Sequence, residues 1–85
     1  MAIELLYFAW VREALGRDAE TIEPPDGVET VDALIDWLAA RGGGYAEALA
    51  DKERLRVAID QEFAGFDAPL AGVREIALFP PVTGG

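Results

Sequence analysis

Apolar residues fall into two kinds of pattern along this chain: short dense runs and one helical stripe. "IELLYFA" (Ile3 to Ala9) is mostly apolar and rich in strand formers, which predicts a strand buried on both faces. "WVREALGRD" offers one or two helical turns ended by Gly16. "AETIE" (Ala19 to Glu23) alternates small or apolar with polar residues, as a half-exposed strand does. "PPDG" then predicts a turn, because proline fixes φ and Gly27 accepts a positive one. The first two strands are expected to return on each other like a hairpin, with the short helix in their connection.

The helical stripe comes next. In "TVDALIDWLAARGGG", Val31, Leu34, Ile35 and Leu38 stand at i, i+3, i+4 and i+7, which predicts one amphipathic helix. Thr30 is its candidate cap, Asp32 and Arg41 suit the two ends of its dipole, and Gly42 is expected to stop it. "YAEALADKE" predicts a second, short helix, "LRVAID" (Leu55 to Asp60) a strand, and "EFAGFD" a short strand and turn. "VREIALF" (Val73 to Phe79) predicts the last strand. One long helix with one apolar face needs one sheet to cover it. The first and last strands are the most apolar and are expected side by side in the sheet centre. The fold class this order predicts is α+β, a β-grasp in which a mixed sheet wraps around one main helix. A ferredoxin-like sandwich needs a second long helix, and "YAEALADKE" is too short and acidic to supply one.

Composition narrows the chemistry. The 85 residues hold no Cys, His, Ser or Asn. That removes disulfides, thiolate and imidazole metal sites, and the Ser–His and Cys–His nucleophilic pairs. The hydroxyls are Thr21, Thr30, Thr83, Tyr7 and Tyr45, and no imidazole is present to activate them. A self-contained enzyme is not expected, nor a bound metal or cofactor. The formal net charge of −9 repels phosphate backbones and anionic lipid, so neither nucleic acid nor a membrane surface is an expected partner. No run approaches the ~20 apolar residues of a bilayer span, and "MAIELLYFAW" lacks the basic flank of a signal peptide. The expected location is the cytoplasm.

Several groups invite a chemical reading and have a plainer one. Asp32 and Asp36, four apart on the helix, read best as solvated charges opposite the apolar stripe. Lys52, the one lysine, reads as a surface charge, and "DQE" (Asp60 to Glu62) as a turn. "GGGYAE" follows a helix instead of joining a strand to one, so it reads as a slack helix cap and not a phosphate cradle. Phe63 and Phe66 have polar neighbours and are expected to be less buried than core residues. Phe8, Phe63 and Phe79 on one outward sheet face would make an apolar patch that wants a partner.

The ending is the most informative stretch. Pro80-Pro81 holds the backbone extended and donates no ladder hydrogen bonds, so the sheet must release the chain there. Six residues, Pro80 to Gly85, reach up to about 20 Å. Gly84-Gly85 has no Cβ atoms and fits a channel too narrow for other residues. The predicted organisation is one domain, 1–79, and an extended tail, 80–85, whose terminal carboxylate enters another protein's active site. Adenylation would turn that carboxylate into an anhydride open to attack by sulfur, giving a thiocarboxylate.

"FPPVTGG" at the end, "FAWVREALG" (Phe8 to Gly16) and "FDAPLAG" (Phe66 to Gly72) resemble the small subunit of molybdopterin synthase, the MoaD family of ubiquitin-like sulfur carriers. The likeness runs in order over most of the chain. The resemblance implies a β-grasp fold and a C-terminal Gly85 adenylated, at the expense of ATP, by a MoeB-like activating enzyme. A sulfur donor protein would then convert Gly85 to 1-thioglycine. The tail (Pro80, Pro81, Val82, Thr83, Gly84) would next enter a MoaE-like large subunit within a heterotetramer and deliver sulfur to cyclic pyranopterin monophosphate. Phe8, Phe63 and Phe79 match the family's apolar partner contacts, and its catalytic lysines and arginines belong to the large subunit. The chain departs from the family in having Asp60 where Asn is common, and Gly72-Val73-Arg74-Glu75 where Gly-Asp-Glu-Val is common. Two other roles share the ending: a carrier for thiamin or cysteine synthesis, against which "FPPV" argues, and a protein tag conjugated through Gly85.

Overall fold

The structure, a computed structural model, describes residues 2–81. Five strands, β1 (Ile3–Tyr7), β2 (Ala19–Ile22), β3 (Arg56–Ile59), β4 (Glu62–Ala64) and β5 (Glu75–Phe79), form one mixed sheet in the order β2-β1-β5-β3-β4. The first and last strands are adjacent and parallel, as their apolar character predicts. Every other pairing is antiparallel. Three helices, α1 (Ala9–Leu15), α2 (Val31–Ala39) and α3 (Gly43–Leu49), lie between these elements in sequence, with a single 3-10 turn at Lys52–Arg54. This is the β-grasp arrangement.

One core joins the inward positions of the strands to the buried faces of the helices. Ile3, Leu5 and Tyr7 of β1 and Ile76 and Leu78 of β5 are buried against Leu34, Ile35 and Leu38 of α2. β1 is therefore buried on one face and not on both as its composition suggests: Glu4 is exposed and Leu6 half-exposed. The described helices pack on one side of the sheet only, so apolar residues on the other side have no helix over them among the described residues.

Local chemistry sets the ends of the elements. Thr30 is extended, and its hydroxyl accepts the Ala33 N–H at 3.2 Å, which caps α2 as expected. The C-terminal end comes earlier than Gly42. Arg41 N–H donates to Leu38 O and Gly42 N–H to Ala39 O, a tighter turn that closes the helix at Ala39. Gly42, with φ +78°, instead precedes α3 as its N-cap. Within "DQE", Asp60-Gln61 is a two-residue hairpin loop with φ +48° at Asp60 and +73° at Gln61, a left-handed pair that β-hairpins favour, and Glu62 opens β4. Asp60 Oδ1 accepts the N–H groups of Arg74 (3.2 Å) and Glu75 (3.0 Å), so β5 begins at Glu75 and not at Val73. The two departures from the family pattern are thus in contact with each other.

The glycine run is not slack. α3 starts on Gly43, and Gly44 lies directly on the backbone of α1: a Cβ there would overlap the Ala14 carbonyl oxygen and stand 3.4 Å from Leu15 Cα. Replacing an exposed helical glycine by alanine normally stabilises by about 1 kcal/mol. Here the sign reverses, because the obstructing atoms are backbone and cannot rotate away. Gly44→Ala is expected to destabilise the fold by about 2 kcal/mol in urea unfolding. A neutral or stabilised variant would show that α1 and α3 do not pack this closely.

Candidate functional site

Strand alternation and register divide the uncovered sheet face into three rows. The middle row crosses all five strands: Ala19, Leu6, Ala77, Ala58 and Phe63. Its alanines keep the centre shallow. The row away from the C-terminus is polar, with Thr21, Glu4 and Glu75 side by side. The row towards the C-terminus holds Phe79 and, directly across from it, Arg56. Phe8 joins this row, since its N–H donates to Leu78 O one step beyond the Tyr7–Leu78 pair.

The aromatics expected on this face are there. Phe63 is 81% exposed and Phe8 47%. The rings of Phe63 and Phe79 stand 5.8 Å apart with their planes tilted by 50°. Exposing a phenylalanine costs burial of ~2 kcal/mol or more, and two on one face with a third against them make a patch suited to a partner protein. Phe66, grouped with Phe63 by sequence, parts from it and packs against the core. Pro80 and Pro81 follow Phe79 at once, half-exposed and without N–H groups, so the β5 ladder ends where the aromatic row ends. Val82, Thr83, Gly84 and Gly85 lie outside the described residues.

Other candidates resolve into structure. Lys52 is not a lone surface charge: its ammonium bridges Asp32 at 2.5 Å and Asp36 at 2.7 Å, and hydrogen bonds to these two carboxylates raise its pKa. The aspartate pair of α2 is thereby held by a cation twenty residues downstream. Among the described residues, no group of three or more acidic side chains is placed to hold a metal ion. Nor is any described helix long and apolar enough to cross a membrane.

Sequence reasoning missed one cluster. Glu20 Oε2 accepts the hydroxyls of Tyr7 (2.8 Å) and Tyr45 (2.5 Å), and Oε1 takes Arg41 (3.0 Å) and Arg17 (3.4 Å). The Arg41 guanidinium also covers the Trp37 and Tyr45 rings, at 4.9 and 5.0 Å. Burial works to raise the Glu20 pKa, but the donors of Tyr45, Tyr7 and Arg41 outweigh it and hold the carboxyl below its ordinary value. Burial first, then the bond to Glu20, pushes the Tyr7 phenol well above its usual range. Neutral phenols around an ionised carboxylate make a clamp that ties β2 to β1, to the turn after α2 and to α3, and leave no proton poised for transfer. The signal lay in "AETIE", where Glu20 shares its inward face with Ile22.

Comparison with known proteins places this geometry. The ThiS family matches residues 5–85. The chain is 43% identical over 83 residues to the molybdopterin synthase sulfur carrier subunit of Escherichia coli (strain K12), covering 98% of this chain and 99% of that one. The crystal structure of SAMP1 from Haloferax volcanii superposes over the whole of both chains with a TM-score of 0.72 at 29% identity. A protein–protein complex of subunits 1 and 2 of molybdopterin-converting factor from Helicobacter pylori 26695 holds a chain with the same fold. That chain is matched over its whole length and the whole of this one, with a TM-score of 0.64 and 23% identity. Matched from end to end in sequence and in fold, the chain belongs to the ThiS family, among the molybdopterin synthase sulfur carrier subunits.

Proposed function

We propose that this chain carries sulfur as a thiocarboxylate on Gly85 and is the small subunit of a molybdopterin synthase. The observation that carries the reading is the junction at Phe79. The central strand of the sheet ends there, beside an exposed aromatic row, and Pro80-Pro81 follows directly. A partner that covers Phe8, Phe63 and Phe79 therefore receives the last residues from the most firmly held strand of the fold. The tail, 80–85, acts as a spacer of up to about 20 Å, so the reacting atom works inside the partner and not on this domain.

The chemistry follows from the terminus. A carboxylate is a poor electrophile. Reaction of the Gly85 carboxylate with ATP in a MoeB-like activating enzyme releases pyrophosphate and leaves an acyl adenylate. Attack by the terminal sulfur of a donor protein's persulfide, followed by reduction of the acyl disulfide by a thiol, releases AMP and leaves the thiocarboxylate. The tail then enters a MoaE-like large subunit, within a heterotetramer of two carriers and two large subunits. Sulfur passes to cyclic pyranopterin monophosphate, and water restores the carboxylate. This chain supplies no titrating side chain to these steps, which suits its lack of His and Cys. The reactions are those of the cytoplasm.

The test is intact mass. Incubation with ATP, the activating enzyme, a sulfur donor and a thiol is expected to exchange one oxygen for one sulfur at Gly85. Adding the large subunit and cyclic pyranopterin monophosphate then yields molybdopterin and restores the starting mass. Covalent adducts on lysines of other proteins, without that exchange, would establish a protein tag in place of a carrier.

A further inference from the structure

Seven cationic side chains stand against sixteen carboxylates in this sequence. Three of the seven are held by the chain's own acids: Arg17 and Arg41 on Glu20, and Lys52 between Asp32 and Asp36. Arg56 has no carboxylate among the described residues, although it sits in the aromatic row, directly across from Phe79. Its Nη1 donates to the carbonyl oxygens of Leu55 (2.7 Å) and Glu53 (3.2 Å). These bonds clamp the guanidinium to the backbone ahead of β3 and occupy both Nη1 hydrogens. The Nε–Nη2 edge has no partner among the described residues, and the residue is exposed. That edge carries two parallel N–H groups, the fork that takes an oxyanion in bidentate fashion.

We infer that Arg56 is the receptor for a carboxylate side chain of the large subunit, at the mouth of the channel that takes the tail, and that it fixes how that subunit seats on the aromatic row. The inference rests on the sulfur-carrier reading above. A nucleotide or pterin phosphate is the other oxyanion in reach of a partner. It belongs at the reacting terminus, however, which an extended Pro80–Gly85 segment puts up to about 20 Å away. The group that meets Arg56 while the aromatics are covered is therefore part of the partner's own rim, where Asp and Glu supply oxyanions.

The rest of the face gives this pairing a direction. Glu4 and Glu75 are paired directly, β1 against β5, on the far side of the middle row from Arg56. Like charges placed directly across a strand pair repel, so this end favours a cationic group on the partner. A large subunit with a cation at one end and a carboxylate at the other meets both needs in one orientation. Turned by half a circle, it meets like charge at both ends. The apolar centre supplies affinity without direction, and the charged ends supply direction.

Affinity for the large subunit from the same genome, measured by calorimetry with the full-length chain at low and high salt, tests this. Arg56→Gln is expected to weaken binding about tenfold and to flatten its salt dependence, and Arg56→Glu to weaken it about thirtyfold or more. Arg56→Lys, a point charge without the fork, falls between the parent and Arg56→Gln. The concentration of large subunit needed for half-maximal sulfur transfer by Arg56→Gln rises in proportion to the lost affinity, while the KM of the activating enzyme for the carrier does not. Binding of Arg56→Glu within twofold of the parent, with its melting temperature retained, overturns the inference. So does an equal rise in the KM of the activating enzyme, which would mark a general charge effect. A parent chain that transfers sulfur while Arg56→Glu binds normally sinks this inference alone. A parent chain that neither binds the large subunit nor transfers sulfur sinks the carrier reading and this with it.

Discussion

Deletion of Gly85 is expected to abolish sulfur transfer while shifting the melting temperature by no more than about 1 °C. The buried core runs from Ile3 to Leu78, and the last paired residue of the sheet is Phe79. Pro80 and Pro81 have no N–H to donate, so among the described residues the β5 ladder ends at Phe79. Removing the terminal residue therefore takes nothing from the described core or ladder. Transfer depends on where the terminal carboxylate sits. Losing one residue withdraws it by about 3.5 Å, and reacting groups tolerate far less, since a displacement near 1 Å can cost about a hundredfold. Gly85→Ala separates reach from width: the carboxylate keeps its depth but gains a methyl group, and a narrow channel should cut the transfer rate at least tenfold. The checks are intact mass after the ATP and sulfur-donor step, molybdopterin formation with the large subunit, and thermal melting of all three chains. Transfer by the deleted chain, or a fall in its melting temperature of several degrees, would place the working group elsewhere.

The sequence carries local patterns well and distant meetings poorly. α2 was readable because a 3.6-residue stripe and a capping threonine lie within ten positions. The pairing of β1 with β5 was readable from their apolar content, the exposure of Phe63 from its polar neighbours, and the set of Phe8, Phe63 and Phe79 from a resemblance to sulfur carriers. The larger misses involve residues far apart along the chain. Gly44 reads as slack in the sequence because nothing near it hints that Ala14 lies against it. Lys52 looked solitary because its partners are twenty and sixteen positions earlier. β1 looked buried on both sides because composition cannot tell a face covered by helices from one left for another protein. That last error points at function. The apolar residues in excess of what the core needs are those of the uncovered sheet face, the face proposed to meet a partner.

Glu20→Ala is expected to be the most damaging single substitution outside the apolar core, costing about 3 kcal/mol. The Tyr7 side chain is almost wholly buried, and its hydroxyl bonds only to Glu20 among the described residues. A buried donor left without an acceptor costs about 1–3 kcal/mol. Tyr45 and Arg41 are more exposed and recover water, so their share is smaller. For a domain of this size about 3 kcal/mol lowers the melting temperature by roughly 12–24 °C. Glu20→Gln keeps one acceptor oxygen and should lose about half as much. The pH dependence separates a charged clamp from mere packing. Because the folded Glu20 pKa lies below its unfolded value, its contribution is fully present above the ordinary glutamate range near ~4.3 and fades as pH falls through the folded pKa. The stability gap between the parent and Glu20→Gln should therefore narrow between about pH 5 and pH 3. Tyr7 acts on the other side. Its folded pKa is raised, so its contribution is whole below the ordinary phenol value of about 10 and declines above it as the unfolded chain ionises first. Urea unfolding of the parent, Glu20→Gln and Tyr7→Phe from pH 3 to pH 11 measures both limbs. A gap between parent and Glu20→Gln that stays constant through the acid limb would mean that the tyrosines and Arg41 do not hold Glu20 as an anion.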